Sequence, residues 1–544
     1  MRSRATTGPD SAESAPLGDR TPSPWRPLRT PIFRNLLIAD VMSDIGTFMQ
    51  TVGAAWLMVS LRAGPMYVAL TQTASALPFF VFALPAGAIG DIVDRRRLIL
   101  YTECWMVGVA TVLAVATLTG YISPWLLLAL TFALSAGDAI ETPTWRAVLP
   151  EMVTREDLAA ASALNGIEFN LARAVGPALA GITIAVAGVG TAFALNAVSF
   201  AGVIVLVARW KRPVRRRTTP PETLAGATVA AIRYVRFSPS IRVLILRSGV
   251  TMLFASALLA LMPSVARSIS DSPTGYGILL GSFGAGAVVG ALAMQPARAR
   301  WSDDAVASGG VAVLGLMTAL AGFLHGMVAL AATMLMAGAA WIVFISVMSA
   351  LVQSLAPDWV RARVLSIFML VFQCGLAAGS ALAGAVAARA GMQHALLWAG
   401  IGIVATTALG LVARLPDATT DLSPWNHWRM PAIVKDLRPK LDEGPVLVTL
   451  EYRVNHDQSE NFLEAIHEYG RVRRRDGAYR WGVYRDLEDA DRYVETFLIR
   501  SWAEHLRQHE RSTKADREVE DRLQTYVTGE PSVRHLVAAE TNRS

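Results

Sequence analysis

Charge and cysteine are both scarce in this 544-residue chain, which is 17% charged and holds two cysteines. A soluble globular protein carries about 25% charged residues, and here the deficit lies between residues 35 and 412. That excludes a chain bathed in water along its whole length. Cys104 and Cys374 both fall inside apolar stretches, so neither a disulfide framework nor a cysteine metal site is expected, and both read as packing residues. No Gly-x4-Gly-Lys-Ser/Thr sequence occurs, so the chain itself offers no ATP site. Zinc-finger and helix-turn-helix patterns are absent too, which removes nucleic acid as a partner. Residues 1–30 are rich in Arg, Ser and Pro and lack an apolar h-region. They are expected to form a disordered cytosolic tail, with no cleavable signal peptide. No metal or cofactor is expected.

What the chain does have is apolar length, at 53% hydrophobic residues. A helix crossing about 30 Å of hydrocarbon needs roughly 20 mainly apolar residues. Twelve such spans can be placed: 35–61, 68–90, 98–119, 123–142, 164–186 and 191–208, then 241–265, 276–294, 305–324, 327–351, 364–388 and 392–412. Basic residues concentrate in alternate loops, at Arg95, Arg96 and Arg97, at Arg146 and Arg155, from Lys211 to Arg217, at Arg298 with Arg300, and at Arg361 with Arg363. The other loops hold Arg62, Arg267 and Arg389. Cytoplasmic loops carry the excess of Lys and Arg, so both termini are expected in the cytosol. The same placement reads as anchoring to anionic lipid headgroups.

The loop after span six divides the spans into two sets of six, and an internal echo supports the division. Pro150-Glu151-Met152-Val153 precedes span five, and Pro357-Asp358-Trp359-Val360 precedes span eleven. Gly176-Pro177-Ala178-Leu179-Ala180-Gly181 and Gly379-Ser380-Ala381-Leu382-Ala383-Gly384 then follow at nearly the same offset. Parallel repeats of this kind are a transporter architecture, with the cavity between the halves. Beyond residue 414 the composition turns polar. A Trp/Pro-rich connector, 415–445, leads to a segment whose periodicities predict strand 446–454, helix 459–475, strands 479–487 and 492–500, one long helix 502–527 and strand 533–539. That order, βαββαβ, is the ferredoxin-like one. The expected fold is an all-α membrane protein of twelve transmembrane helices in two six-helix halves, with a small α+β ferredoxin-like C-terminal domain. The domains read as tail 1–30, first half 31–208, cytosolic linker 209–240, second half 241–414, connector 415–445 and soluble domain 446–544.

Between spans two and three, Gly87-Ala88-Ile89-Gly90-Asp91-Ile92-Val93-Asp94-Arg95-Arg96-Arg97 resembles the loop motif of the major facilitator superfamily. Gly87, Asp91, Arg96 and Arg97 match that motif, whereas Ile92 and Asp94 depart from it. Ser43-Asp44-Ile45-Gly46, Leu84-Pro85-Ala86-Gly87 and Glu141-Thr142-Pro143-Thr144-Trp145-Arg146 are similar to the bacterial branch that contains the enterobactin exporters. The soluble segment resembles the dimeric α/β-barrel domains related to antibiotic-biosynthesis monooxygenases, through Ser501-Trp502-Ala503-Glu504-His505-Leu506. The resemblance implies secondary active efflux of a siderophore or other amphipathic small molecule from a bacterial inner membrane. It also makes dimerisation through the C-terminal domain an option.

Ionisable groups inside spans are costly and therefore functional candidates. Asp40, Asp44, Thr47 and Thr51 form a polar stripe on span one. Asp40 lies near the headgroups, while Asp44 is deeper and suits a cavity or proton role. Glu168 and Arg173 on span five and Asp138 on span four complete the substrate and proton-coupling candidates. Glu103 and Glu141 read as partners of Arg146 or other loop arginines. The gating candidates are Gly87, Asp91, Arg96, Arg97, Arg146 and the pair Gly176-Pro177, which resembles part of an exporter antiporter motif. Trp56, Phe79, Phe80 and Phe82 read as packing or lipid-facing residues before cavity-lining ones. His467, Trp481, His505 and His509 show no nucleophile-base or metal spacing, so an enzyme is not expected. The alternatives are a membrane-tethered enzyme or sensor, and an uptake permease.

Overall fold

The computed structural model describes the chain apart from residues 1–24, 155, 211–223, 271, 358, 413–414, 416–420, 424, 426–439 and 539–544. The side chains of 83–92, of Arg146 and of several single positions are also outside the description. Most of the tail, the arginine run from Lys211 to Arg217 and most of the connector therefore lie outside the described residues. The end of the tail is ordered: Arg26–Arg29 forms a 3-10 turn with Pro27 buried, and Arg26 pairs with Glu156 at 3.4 Å.

The first group of helices is α1 (Pro31–Ser60), α2 (Pro65–Ile92), α3 (Arg95–Leu118), α4 (Pro124–Met152), α5 (Leu158–Ala187) and α6 (Val189–Arg209). A short helix, α7 (Leu224–Phe237), follows. Then come α8 (Pro239–Ile269), α9 (Pro273–Arg298), α10 (Asp303–Ala321), α11 (Met327–Ser354), α12 (Arg361–Ala390) and α13 (Met392–Val412). Among the described residues, nine of these are long and apolar enough to cross a membrane. Proline opens α1, α2, α4, α8 and α9, the helix position where its missing N–H costs nothing. Asp94, which departs from the loop motif, caps α3 by accepting from the Arg97 N–H at 3.1 Å.

Helices α1–α6 pack mainly on one another, as do α8–α13, and the groups meet through α2 with α12 and α5 with α9. Small residues allow these meetings. A Cβ on Gly176 would fall on Phe48 and the Ile45 carbonyl of α1, and one on Gly379 would fall on Leu253 and Ser256 of α8. Five residues on, Gly181 lies against Gly277 of α9, and Gly384 lies against Ala69 and Met66 of α2. Each echoed segment thus touches the first helix of its own group and the second helix of the other. Gly188 and Gly391, at φ +83° and +90°, make the tight turns from α5 to α6 and from α12 to α13, a conformation that strains residues bearing a Cβ.

Two boundaries differ from expectation. Helix α4 runs through Pro143 to Met152, so the chain from Pro143 to Arg146 is helical where a loop was expected. Part of the linker 209–240 is helical too, since α7 is amphipathic and docks its buried Ala230, Ala231 and Tyr234.

The C-terminal segment folds as β1 (Val446–Arg453), α14 (Ser459–Asp476), β2 (Arg480–Arg485), β3 (Arg492–Ile499), α15 (Trp502–Glu510), α16 (Lys514–Gln524) and β4 (Ser532–Val537). The sheet is antiparallel in the order β2-β3-β1-β4. Val446, Val448, Leu450 and Tyr452 alternate inward and pack with Phe462, Ile466, Tyr493 and Phe497. The long helix expected over 502–527 is broken, because Thr513 forms a reciprocal capping box with Asp516 and restarts the chain as α16.

This domain docks on one end of the helix bundle. Arg233 of α7 donates to the carbonyls of Arg475 and Gly477 and pairs with Glu504 at 3.0 Å. Arg511 lies over the Trp359 ring at 4.5 Å, and Arg475 lies over the ring of Tyr234 on α7 at 5.4 Å. The contacts of Gly181 and Gly384 lie toward the opposite end.

Candidate functional site

Helices α1, α3, α4 and α5 bring six carboxyl groups together, those of Asp40, Asp44, Glu103, Asp138, Glu141 and Glu168. The stripe on α1 divides. Asp40 turns to α4 and accepts from the Trp145 indole N–H at 3.1 Å. Asp44, one helical turn on, lies beside Glu168 of α5, with Asp138 and Arg173 near enough to act on it electrostatically. Thr51 turns back on its own helix, donating to the Thr47 carbonyl at 2.9 Å. The α1 face also carries Gln50, which accepts from Asn196 of α6, both buried.

Arg173 is positioned by aromatic rings. Its guanidinium lies 4.7 Å from the Phe169 centroid, and Phe169 packs on Phe48 at 5.7 Å. Gly176 lets Phe48 approach α5. Such stacking holds a guanidinium while leaving its donors available.

A second pair lies between α3 and α4. Glu103 and Glu141 are 3% and 8% exposed and lie side by side, and Thr102 donates to Glu141 at 2.6 Å. Among the described residues the partners of Glu141 are thus Thr102 and Glu103, where an arginine was expected; the Arg146 side chain lies outside the description. Two carboxyl groups join by a hydrogen bond only when one of them holds a proton. Both pairs, Asp44–Glu168 and Glu103–Glu141, set two carboxyl groups side by side, an arrangement whose repulsion a shared proton would relieve. Oε1 of Glu168 and Oε2 of Glu103 are buried without a donor.

The gating candidates are dispersed. Arg96 donates to the Val207 carbonyl at 3.0 Å, tying the start of α3 to the end of α6, and Arg95 pairs with Glu151 of α4 at 2.9 Å. Gly87 and Asp91 lie in the last turns of α2, but their contacts, like those of Arg146, are outside the described residues. Arg97 lies in the first turn of α3, and Gly176 and Pro177 are buried in α5. Trp56 is buried at 4% and Phe80 is 45% exposed, in keeping with packing and surface roles. Cys104 and Cys374 are free and exposed, not buried as packing residues.

Sequence reasoning missed Arg247. It is 4% exposed on α8, pairs with Asp304 of α10 at 2.6 Å and donates to Ser308 at 3.0 Å. An arginine a turn and more inside an apolar span was the available signal. In the soluble domain His505, His509 and His535 cluster, with ring centroids 4.7 and 4.9 Å from His505. Among the described residues no group of His, Cys, Asp and Glu side chains could hold a metal.

Residues 22–543 match the family described as transmembrane secretion effector, of the major facilitator type. The chain belongs to that family. The transporter is 27% identical to the multidrug efflux pump Tap of Mycobacterium tuberculosis, over 72% of this chain and 94% of Tap. It is 26% identical to the staphyloferrin A transporter of Staphylococcus aureus, over 30% of this chain and 41% of that protein. It is likewise 26% identical to the enterobactin exporter EntS of Salmonella choleraesuis, over 48% of this chain and 63% of EntS. The fold is that of the nucleoside transporter NupG (TM-score 0.57, 14% identity, 70% of this chain and 98% of that one). It is also that of a bacterial homologue of the lysosomal transporter Spinster (TM-score 0.56, 13% identity, 71% and 96%).

Proposed function

We propose that this transporter is a proton-coupled exporter of amphipathic small molecules, a siderophore among them, working by alternating access between two six-helix halves. The observation that carries the reading is the Asp44–Glu168 carboxyl pair beside Arg173. A proton held between two acids next to a cation can leave when Arg173 moves closer and return when it moves away, because a nearby opposite charge favours the ionised form. Asp138 and the Glu103–Glu141 pair extend the acidic track toward the end of the bundle that carries the soluble domain. Tap, a multidrug efflux pump, and EntS, an enterobactin exporter, support the direction.

In this reading twelve helices span a bacterial inner membrane with both termini cytosolic. Asp91 with Arg96, Arg97 and Arg146 gates the cytosolic ends of the helices, and Gly176-Pro177 lets α5 rock on α1. The C-terminal domain is ferredoxin-like, a reading that the order β2-β3-β1-β4 supports, and its open sheet face suits pairing with a second copy. The test is flux in inverted vesicles, comparing siderophores and hydrophobic drugs with and without an imposed proton gradient. Accumulation that ignores the gradient would end the coupled reading.

A further inference from the structure

Beside the docking contacts, a cavity of about 640 Å³ opens between α7 and the β2 edge of the soluble domain. Its charged lining is all of one sign, Arg233, Arg236, Arg474 and Arg480, with no acid among the lining residues. Arg233 is paired with Glu504. Among the described residues, Arg236, Arg474 and Arg480 have no carboxylate within 4.0 Å, the limit for an ion pair. Arginines gathered without acids repel one another, and an anion relieves that repulsion.

The cavity is aromatic as well. Phe237, Trp481, Tyr479 and Tyr484 line it. The Arg474 guanidinium lies 5.2 Å from the centroids of both Phe237 and Trp481, stacked on a ring from each side of the cleft. Trp481 is fixed in place: its indole donates to Glu495, a fully buried carboxyl, at 2.8 Å. Gly470 makes the room, since a Cβ there would overlap the Trp481 ring. Pre-positioned rings and planar guanidinium forks recognise flat, delocalised anions, and the volume is that of a small-molecule site.

The geometry points to a binding site for a planar aromatic anion, an aromatic carboxylate or sulfonate, held between helix α7 and the soluble domain. Arg236 and Arg480 meet the charge, while Trp481 and Phe237 take the ring. The site is separate from the carboxyl cluster and does not depend on the direction of transport. Because α7 joins the two helix groups, a ligand here bridges the domain to the linker.

The test uses the full-length protein in phosphatidylcholine nanodiscs, titrated calorimetrically with naphthalene-2-sulfonate, with 2-naphthol and cyclohexanesulfonate as the neutral and non-aromatic controls. The expected result is saturable binding of naphthalene-2-sulfonate, at least tenfold tighter than either control. Hydrogen exchange should slow at residues 480–485, and affinity should fall tenfold or more in Arg236→Ala/Arg480→Ala. Both arginines are exposed, so that variant keeps its fold, which its unchanged thermal transition would verify. Trp481→Leu, which keeps every charge, should also weaken binding. No binding, equal binding of a control, or unchanged affinity in the double variant would each overturn the site. Loss of binding when phosphatidylglycerol replaces part of the lipid would overturn it as well, by making a lipid headgroup the occupant.

Discussion

Oε1 of Glu504 lies 3.0 Å from Nη2 of Arg233, so one ion pair joins the soluble domain to the helix between the two groups of spans. The same oxygen lies 2.7 Å from Nη1 of Arg511. Burial works against the charge, but Arg511 and Arg233 outweigh it and hold the Glu504 carboxyl down at about 2. Its folded value is depressed, so the stability it contributes is present above its ordinary value near 4.3 and is lost only as pH falls toward about 2.

Arg233→Ala should therefore loosen the docked domain at any pH from 8 to 5. Glu504 keeps Arg511, so the cost is about 1–2 kcal/mol, that of one charged hydrogen bond. Hydrogen exchange in α7 and at 473–478 should speed up severalfold while the strands stay protected. Unchanged exchange in α7 would show that the docking rests on the Tyr234 and Trp359 contacts.

A second pH response should come from the histidine cluster. Burial, then His535, pushes His505 down to about 4. The unfolded chain takes up a proton near pH 6.5 that the folded domain refuses, so stability falls as pH drops from about 6.5 to about 4. The loss is roughly 3 kcal/mol for that one group. His505→Gln should flatten the curve in this window, and thermal unfolding of the domain between pH 7.5 and 4.5 measures it.

Asp44→Asn should abolish proton-driven accumulation and leave downhill movement of substrate. Arg173→Ala should damage both, since it removes the cation and uncovers Phe169. Paired uphill and downhill flux at matched expression, with proton movement followed in the same vesicles, separates the two. Uphill transport at the normal proton flux in Asp44→Asn would move the search for coupling to Glu168 and Asp138.

Arg247→Ala should cost roughly 1–3 kcal/mol, because Asp304, partly exposed, loses its buried arginine and keeps the Leu415 N–H. Arg247→Ala combined with Asp304→Asn should recover part of that loss. Thermal unfolding in detergent reads both, and a single variant as stable as the parent would show the pair to be dispensable.

The spans, the duplicated segment and the polar stripe were legible because each rests on length, repetition or a costly charge. Helix α7 was not, since its short apolar face lies in a linker whose arginines were already explained by orientation. Helix α4 ran past its expected end because a ruler of about 20 apolar residues stops where the membrane does, whereas the helix continues through Pro143 into the polar turns beyond, a bundle tolerating proline inside a spanning helix. The break at Thr513 carried its signal, Thr513-Lys514-Ala515-Asp516, a capping box in plain sequence. Continuous helical periodicity on either side hid it. The pairing of Asp44 with Glu168 joins different helices, which no local pattern encodes.

In the proposed alternating-access cycle, the paired glycine contacts would serve as the fulcrum. Gly181 against Gly277 and Gly384 against Met66 touch at two points, and a line through two points leaves one rotation free. From Gly181 to Leu158, the far end of α5, is about 35 Å, so turning one group by about 10° about that line swings the far helix ends by about 6 Å. That is roughly the width of a small flat molecule, obtained without unfolding a turn of helix.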